Sequence, residues 1–197
     1  MTEPGEIEDR QLKEIGAQIK HFAGDAVSNK VMQGKDEMLA AKDPVKGAVW
    51  MKEAIDRLDA LTDKKTREKI MSACGHACLA TYIKGMEASK EIRRKCATEE
   101  EFLKIELNAL PDITRFERNG DILYWYYTPR KLGKGMRCVC PLLSMLPEGV
   151  NASPTYCQCS RANVQAYWTG ILGRPIKVEL GETSIAGSKE CKFIIHL

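Results

Sequence analysis

Apolar residues between positions 6 and 109 recur three and four apart, the period of one face of a helix, and no stretch alternates as a strand does. Asp43 followed by Pro44 reads as a helix start. An aspartate N-cap accepts otherwise unpaired N–H groups, and proline's fixed φ suits the first helical position. Val45, Val49, Met51, Ile55, Leu58 and Leu61 then follow at helical spacing. After a break at 62–66 the pattern predicts a helix over about 67–83. Thr98 with Glu101 forms a capping box opening a helix through Leu107, which Pro111 closes. Four or five helices are expected in this half.

Past Pro111 the period shortens. Residues 112–127 predict a hairpin, with strands at 113–117 and 121–127 around an Asn119-Gly120 turn. An extended stretch is expected to carry Cys138 and Cys140 to Pro141. A helix over about 161–172 is capped by Ser160 and ended by Gly173, and strands follow at 175–182 and 190–197, joined near Gly187-Ser188. The predicted fold class is α+β. A helical region (1–110) packs on a cysteine-rich antiparallel sheet region with one crossing helix (111–197), the two forming one compact unit.

At 197 residues the chain is long enough to build a core without disulfides, so its eight cysteines are not needed as staples. The acidic start lacks the basic, apolar character of a signal peptide and no apolar stretch reaches spanning length, which predicts a cytoplasmic protein without a membrane partner. In that compartment clustered cysteines suggest metal binding or redox chemistry before disulfides. Thirty basic against twenty-seven acidic residues leave a formal charge of +3, too little for a nucleic-acid footprint. The one basic cluster, Arg130, Lys131, Lys134 and Arg137, is either a solvated loop or a set of cations that lowers the thiol pKa values of Cys138 and Cys140.

The thiols carry the candidate chemistry. Cys138-Val-Cys140 and Cys157-Gln-Cys159 are two Cys-x-Cys pairs. On a strand, residues two apart share a face, so four sulfurs from neighbouring strand ends, or from a common loop, could meet around zinc or an iron–sulfur cluster. The alternative is that they pack as small apolar residues. Cys159, at the threshold of a helix, would have its thiolate stabilised by helix-terminal N–H groups. Cys74 and Cys78, one helical turn apart, are possible additional ligands or packing residues, and Gly75 between them suggests a close neighbour. Cys191 alternates in phase with Phe193 and Ile195 and is expected in the core. Cys96, His21 and His196 have no motif context. Tyr124, Tyr126, Tyr156 and Trp168 either line an apolar ligand pocket or fill the core. No phosphate-binding loop, dinucleotide fingerprint, zinc-protease motif or nucleophile elbow is present, and no catalytic residue is assigned.

Pro154-Thr-Tyr-Cys-Gln-Cys-Ser160, the aromatic helix after it, the stretch from Leu172 to Leu180 and Gly187-Ser-Lys-Glu-Cys-Lys-Phe193 resemble the end of the 4-vinyl-reductase, or hydrocarbon-binding, domains. That superfamily shares an α+β ligand-binding fold with haem–nitric-oxide-binding domains, and the resemblance is best over 112–197. The helical half, with cysteines at 74 and 78, is similar to small cysteine-rich bacterial and archaeal relatives. The resemblance implies an α+β fold with a ligand cavity, hence a protein that binds or senses a small apolar or redox-active molecule; a homodimer is a separate expectation. The Gly-x-x-x-Cys-x-Phe ending is also similar to the aminothiazoline-carboxylate hydrolases, which makes a metal-assisted hydrolase the alternative. Fold membership alone implies no activity.

Overall fold

Side-chain caps written into the sequence open three of the described helices, at Asp43, Asp63 and Thr98. The computed structural model describes residues 4–80, 83–109 and 112–197. Helices α1 (Pro4–Ala23), α2 (Asp25–Val31), α3 (Lys35–Ala41), α4 (Pro44–Leu61), α5 (Lys64–Leu79), α6 (Ile83–Lys95) and α7 (Glu99–Asn108) precede the sheet. Asp43 Oδ1 accepts the N–H groups of Val45 and Lys46 at 2.9 and 3.1 Å to open α4. Thr98 Oγ1 accepts from Glu101 N at 3.1 Å, while the Glu101 carboxylate reaches back to Ala97 N at 2.9 Å.

Where the count differs from expectation, the cause is local. Gly24 (φ 88°) and Gly34 (φ 77°) interrupt the 24–43 stretch and split it into α2 and α3, because glycine takes left-handed φ values without a Cβ clash. Helix α5 starts three residues earlier than expected, since Asp63 inside the supposed break caps Thr66 N at 2.9 Å. The predicted helix over 67–83 ends as α5 at Leu79; its residues 81 and 82, and the Pro111 stop, lie outside the described residues.

The C-terminal part holds β1 (Thr114–Asn119), β2 (Ile122–Tyr127), α8 (Pro141–Ser144), α9 (Gln158–Leu172), β3 (Lys177–Leu180) and β4 (Cys191–His196). The four strands form one antiparallel sheet in the order β1-β2-β4-β3, so the last strand pairs with both β2 and β3. The fold is α+β, as expected. The hairpin turn is one residue off: Asn119 pairs with Ile122, so Gly120 and Asp121 form the loop, and Gly120 (φ 59°) takes the first position, where a type II′ turn requires glycine.

Two cores divide the molecule. Leu123, Trp125, Phe193 and Ile195 on the inner sheet face meet Phe102 and Leu103 of α7 and Trp168 of α9. The second core is helical, built from Leu12, Ile15 and Ile19 of α1, Met51, Ile55 and Leu58 of α4, Ile70 and Met71 of α5, and Leu143 of α8. Helices α1 to α5 therefore do not simply cover the sheet. Helix α9 joins the two cores, touching α5 and α6 on its flanks and β3 along the sheet.

Candidate functional site: a buried cluster of thiols

Three separated segments deliver cysteines to the helical core. On α5, Cys74 and Cys78 lie one turn apart and so share a side of the helix. Gly75 sits where α9 arrives. A Cβ on Gly75 would lie 2.2 Å from the carbonyl oxygen of Cys159 and 2.9 Å from the Ala162 Cβ, so only glycine permits this approach. Asn163 Nδ2 donates to the Gly75 carbonyl across the same contact at 3.4 Å.

The second segment, 138–140, bends at 139–140 and joins no strand, although Cys140 itself keeps an extended backbone (φ −78°, ψ 128°). Cys140 N donates to Cys138 Sγ at 3.4 Å, and Pro141 then opens the short helix α8. In the third segment α9 starts at Gln158, three residues ahead of the predicted start, and Cys157 rather than Ser160 is its N-cap. This overturns the shared-face argument for Cys157 and Cys159: residues two apart on a helix point about 200° apart at 3.6 residues per turn. The two sulfurs have different companions accordingly.

Cys159 lies near enough to Cys140, Cys157, Cys74 and Cys78 that a thiolate at any of them would oppose its own ionisation. Cys140 Sγ lies 3.0 Å from the Tyr156 hydroxyl and 3.6 Å from Gln11 Oε1. Cys157, by contrast, is most strongly coupled to Cys138 and Cys191. Cys191 Sγ accepts the Ser184 N–H at 3.3 Å. The four Cys-x-Cys thiols and Cys74 thus lie in or against the helical core, while Cys191 belongs to the sheet core and Cys96 packs at that core's edge.

Burial pushes every one of these thiols up in pKa. Cys74 is raised to about 12, first by loss of solvent and then by the charge of Glu14, and Cys140 to about 11 by loss of solvent. Cys138, Cys157 and Cys159 are raised well above 9.0, again chiefly by burial. The basic cluster does not act on them as the sequence suggested. Arg130 pairs with Glu148 at 2.9 Å, Lys131 donates to the Asp112 carbonyl at 2.8 Å, and Arg137 turns away to bind backbone carbonyls. Helix-terminal stabilisation of a Cys159 thiolate is likewise outweighed by desolvation.

A pH dependence of stability follows from these shifts. In the unfolded chain a thiol releases its proton near 9.0, whereas the folded protein holds it until about 11 for Cys140 and 12 for Cys74. A raised folded-state pKa stabilises fully below the unfolded value and is lost as pH rises through the folded value, so stability falls across this interval. Each such thiol removes roughly 1.4 kcal/mol per pH unit there. Urea denaturation of reduced, chelator-treated protein at pH 8 and pH 10 should show the loss, and an unchanged midpoint would count against the burial of these thiols.

The expected aromatic pocket is not formed by the four residues assigned to it. Tyr124 and Tyr126 point to the outer sheet face, where Lys192 Nζ and the Arg115 guanidinium stand 4.5 and 3.7 Å from their respective ring centres. Trp168 is fully buried between sheet and helices, in edge-to-face contact with Trp125. Only Tyr156 reaches the thiols. A groove of about 400 Å³ that the sequence did not reveal lies between α1, α3, α4 and α8, lined by Leu12, Met38, Leu39, Trp50, Met51 and Leu142 together with Glu8, Lys42 and Asp43. Leu12 and Leu142 also belong to the helical core that holds Cys74, Cys138 and Cys157.

Sulfur donors of this kind suit zinc and iron–sulfur chemistry. Among the described residues, no three or more His, Cys, Asp or Glu side chains already stand in the geometry that holds a metal ion. A further polar group, also unforeseen, is self-contained: Ser89, Glu106 and Tyr167 hydrogen-bond one another at 2.6 to 2.9 Å between α6, α7 and α9.

Fold and site together define a cysteine-rich α+β protein whose thiols gather where its helical core meets α9. No described helix is long and apolar enough to cross a membrane. Residues 6–197 match the family of unknown function DUF6144, and the chain belongs to that family. No curated protein and no solved structure matches it.

Proposed function

We propose that this is a cytoplasmic small-molecule-binding or sensing protein of the 4-vinyl-reductase, or hydrocarbon-binding, type, whose cysteine cluster holds zinc or an iron–sulfur centre. The observation that carries the reading is that Cys74 of α5, Cys138 and Cys140, and Cys157 and Cys159 at the start of α9 all lie in or against one helical core, with Cys78 one turn from Cys74 on the same side of α5. A solitary buried cysteine is a small apolar residue, but six from three segments make a soft donor set. The Tyr156 hydroxyl and the Gln11 amide beside Cys140 offer polar partners to a ligating sulfur. The groove between α1, α3, α4 and α8, with an apolar lining edged by Glu8, Lys42 and Asp43, supports the small-molecule part of the reading.

Ligation requires thiolates, and burial keeps these thiols protonated near neutrality, so each ligating sulfur gives its proton to solvent and affinity rises with pH. Metal analysis and a visible spectrum of anaerobically purified protein test the reading. A stoichiometric zinc content, or iron with sulfide and a visible chromophore, is expected. The Cys140→Ser/Cys159→Ser variant should lose it, and wild-type metal content in that variant would overturn the reading.

A further inference from the structure

We infer that the groove between α1, α3, α4 and α8 binds a small organic acid whose apolar body lies on the groove floor and whose carboxylate pairs with Lys42. This rests on the small-molecule part of the proposed function and is independent of the metal centre. At about 400 Å³ the groove falls within the size range of small-molecule sites, roughly 300 to 1,000 Å³.

The lining specifies the body. Leu12, Met51 and Leu142 are buried, and Met38 and Leu39 stand half-buried. Two thioethers and the indole of Trp50 make a polarisable surface that adapts to apolar groups of different shape. The Trp50 N–H is already engaged by the Gln33 carbonyl at 2.9 Å, so these side chains offer contact area and no free donor. Gly47 keeps the groove open. It stands in the first turn of α4, where glycine costs stability relative to alanine. Neither the backbone nor close packing asks for it: its φ is not left-handed, and a Cβ there would meet Met38 Sδ at an ordinary 3.6 Å. What the missing side chain leaves is space on the groove.

Charge at the edge specifies the head. Lys42 ends α3 with φ 49°, the one left-handed φ at a non-glycine position among the described residues. Such a conformation is strained for a residue with a Cβ, and strain of this kind collects at binding sites. Among the described residues no ion pair or side-chain hydrogen bond engages Lys42. Of the two acids on the groove, Asp43 is held by the N–H groups of Val45 and Lys46, and Glu8 on α1 lies near Cys140. The ammonium of Lys42, on a long flexible stem, is therefore the edge charge that lacks a partner, and a carboxylate is its complement.

Calorimetric titration of the full chain with octanoate, octanol and octylamine, which share one chain length and differ in charge, tests the inference. Octanoate should bind about three- to fivefold more tightly than octanol, the range an exposed ion pair supports, and octylamine more weakly than either. Lys42→Met should bring octanoate to the octanol value and leave octanol unchanged. Gly47→Leu, which puts a side chain into the groove, should remove binding of octanoate and octanol alike. If that variant does not fold, Gly47→Ala, whose methyl group fits, should weaken both to a smaller degree. Octanoate and octanol bound equally, or octylamine bound more tightly, overturns the carboxylate and leaves the small-molecule reading standing. Binding untouched by either Gly47 variant overturns the groove as its place. No binding of any of the three overturns the inference together with the small-molecule part of the proposed function, and leaves the metal centre to its own test.

Discussion

Gly75→Ala is expected to lower the unfolding free energy by about 2 to 3 kcal/mol, although alanine is the better helix former. The exchange gains about 1 kcal/mol of helix propensity in mid-helix. Against it stands a new methyl group 2.2 Å from the Cys159 carbonyl oxygen, a backbone atom near the start of α9 that cannot swing aside as a side chain end would. Relief requires α5 and α9 to separate; overpacking typically costs about 1 to 3 kcal/mol and occasionally more, and a backbone clash this close places the cost at about 3 to 4 kcal/mol. Because the same contact sets Cys74 and Cys78 against Cys159, the variant should also weaken metal uptake. Urea denaturation measures the first effect. A variant as stable as the wild type would show that the two helices do not meet at this point.

Arg137→Met is expected to destabilise by about 3 kcal/mol or more. Arg137 is only 4% exposed, and its guanidinium donates to the carbonyls of Pro147 at 2.8 Å, Val150 at 3.1 Å and Ser184 at 3.0 Å and to Asn151 Oδ1 at 3.2 Å. Methionine fills much of the volume and supplies none of these donors, so buried acceptors lose their partner. The clamp fixes the 147–151 loop and the 184 turn to the residue next to Cys138, and its loss should loosen that segment. Arg137→Lys should recover only part of the stability, since an ammonium lacks the planar fork that reaches four acceptors at once. Denaturation curves of both variants test this, and a methionine variant at wild-type stability would contradict it.

Arg137 also shows where the sequence could mislead. As one of four clustered cations it invited a reading as a thiol activator, but nothing local reveals that its partners lie 10 to 47 residues away. Features with local causes were legible: the Asp43 and Thr98 caps, the Gly173 stop at φ 68°, and the alternation that buries Cys191, Phe193 and Ile195. Gly75 was legible as a close approach, though not what approaches. The error at Cys157 and Cys159 came from treating a Cys-x-Cys as extended. The turn of 153–157, in which Tyr156 N and Cys157 N bond back to Ser153 and Pro154, leads straight into α9 and fixes helical phase before the second cysteine. The groove was illegible for another reason. Its walls come from α1, α3, α4 and α8, and no periodicity within one segment encodes a gap between four.

X-ray absorption at the metal edge of anaerobically purified wild-type protein tests the central claim most directly, because it counts the donor atoms around whatever metal is bound. The account predicts a sulfur-dominated shell at zinc or iron distances, with the four protein sulfurs supplied by the thiol cluster. A shell of nitrogen and oxygen without sulfur would contradict it.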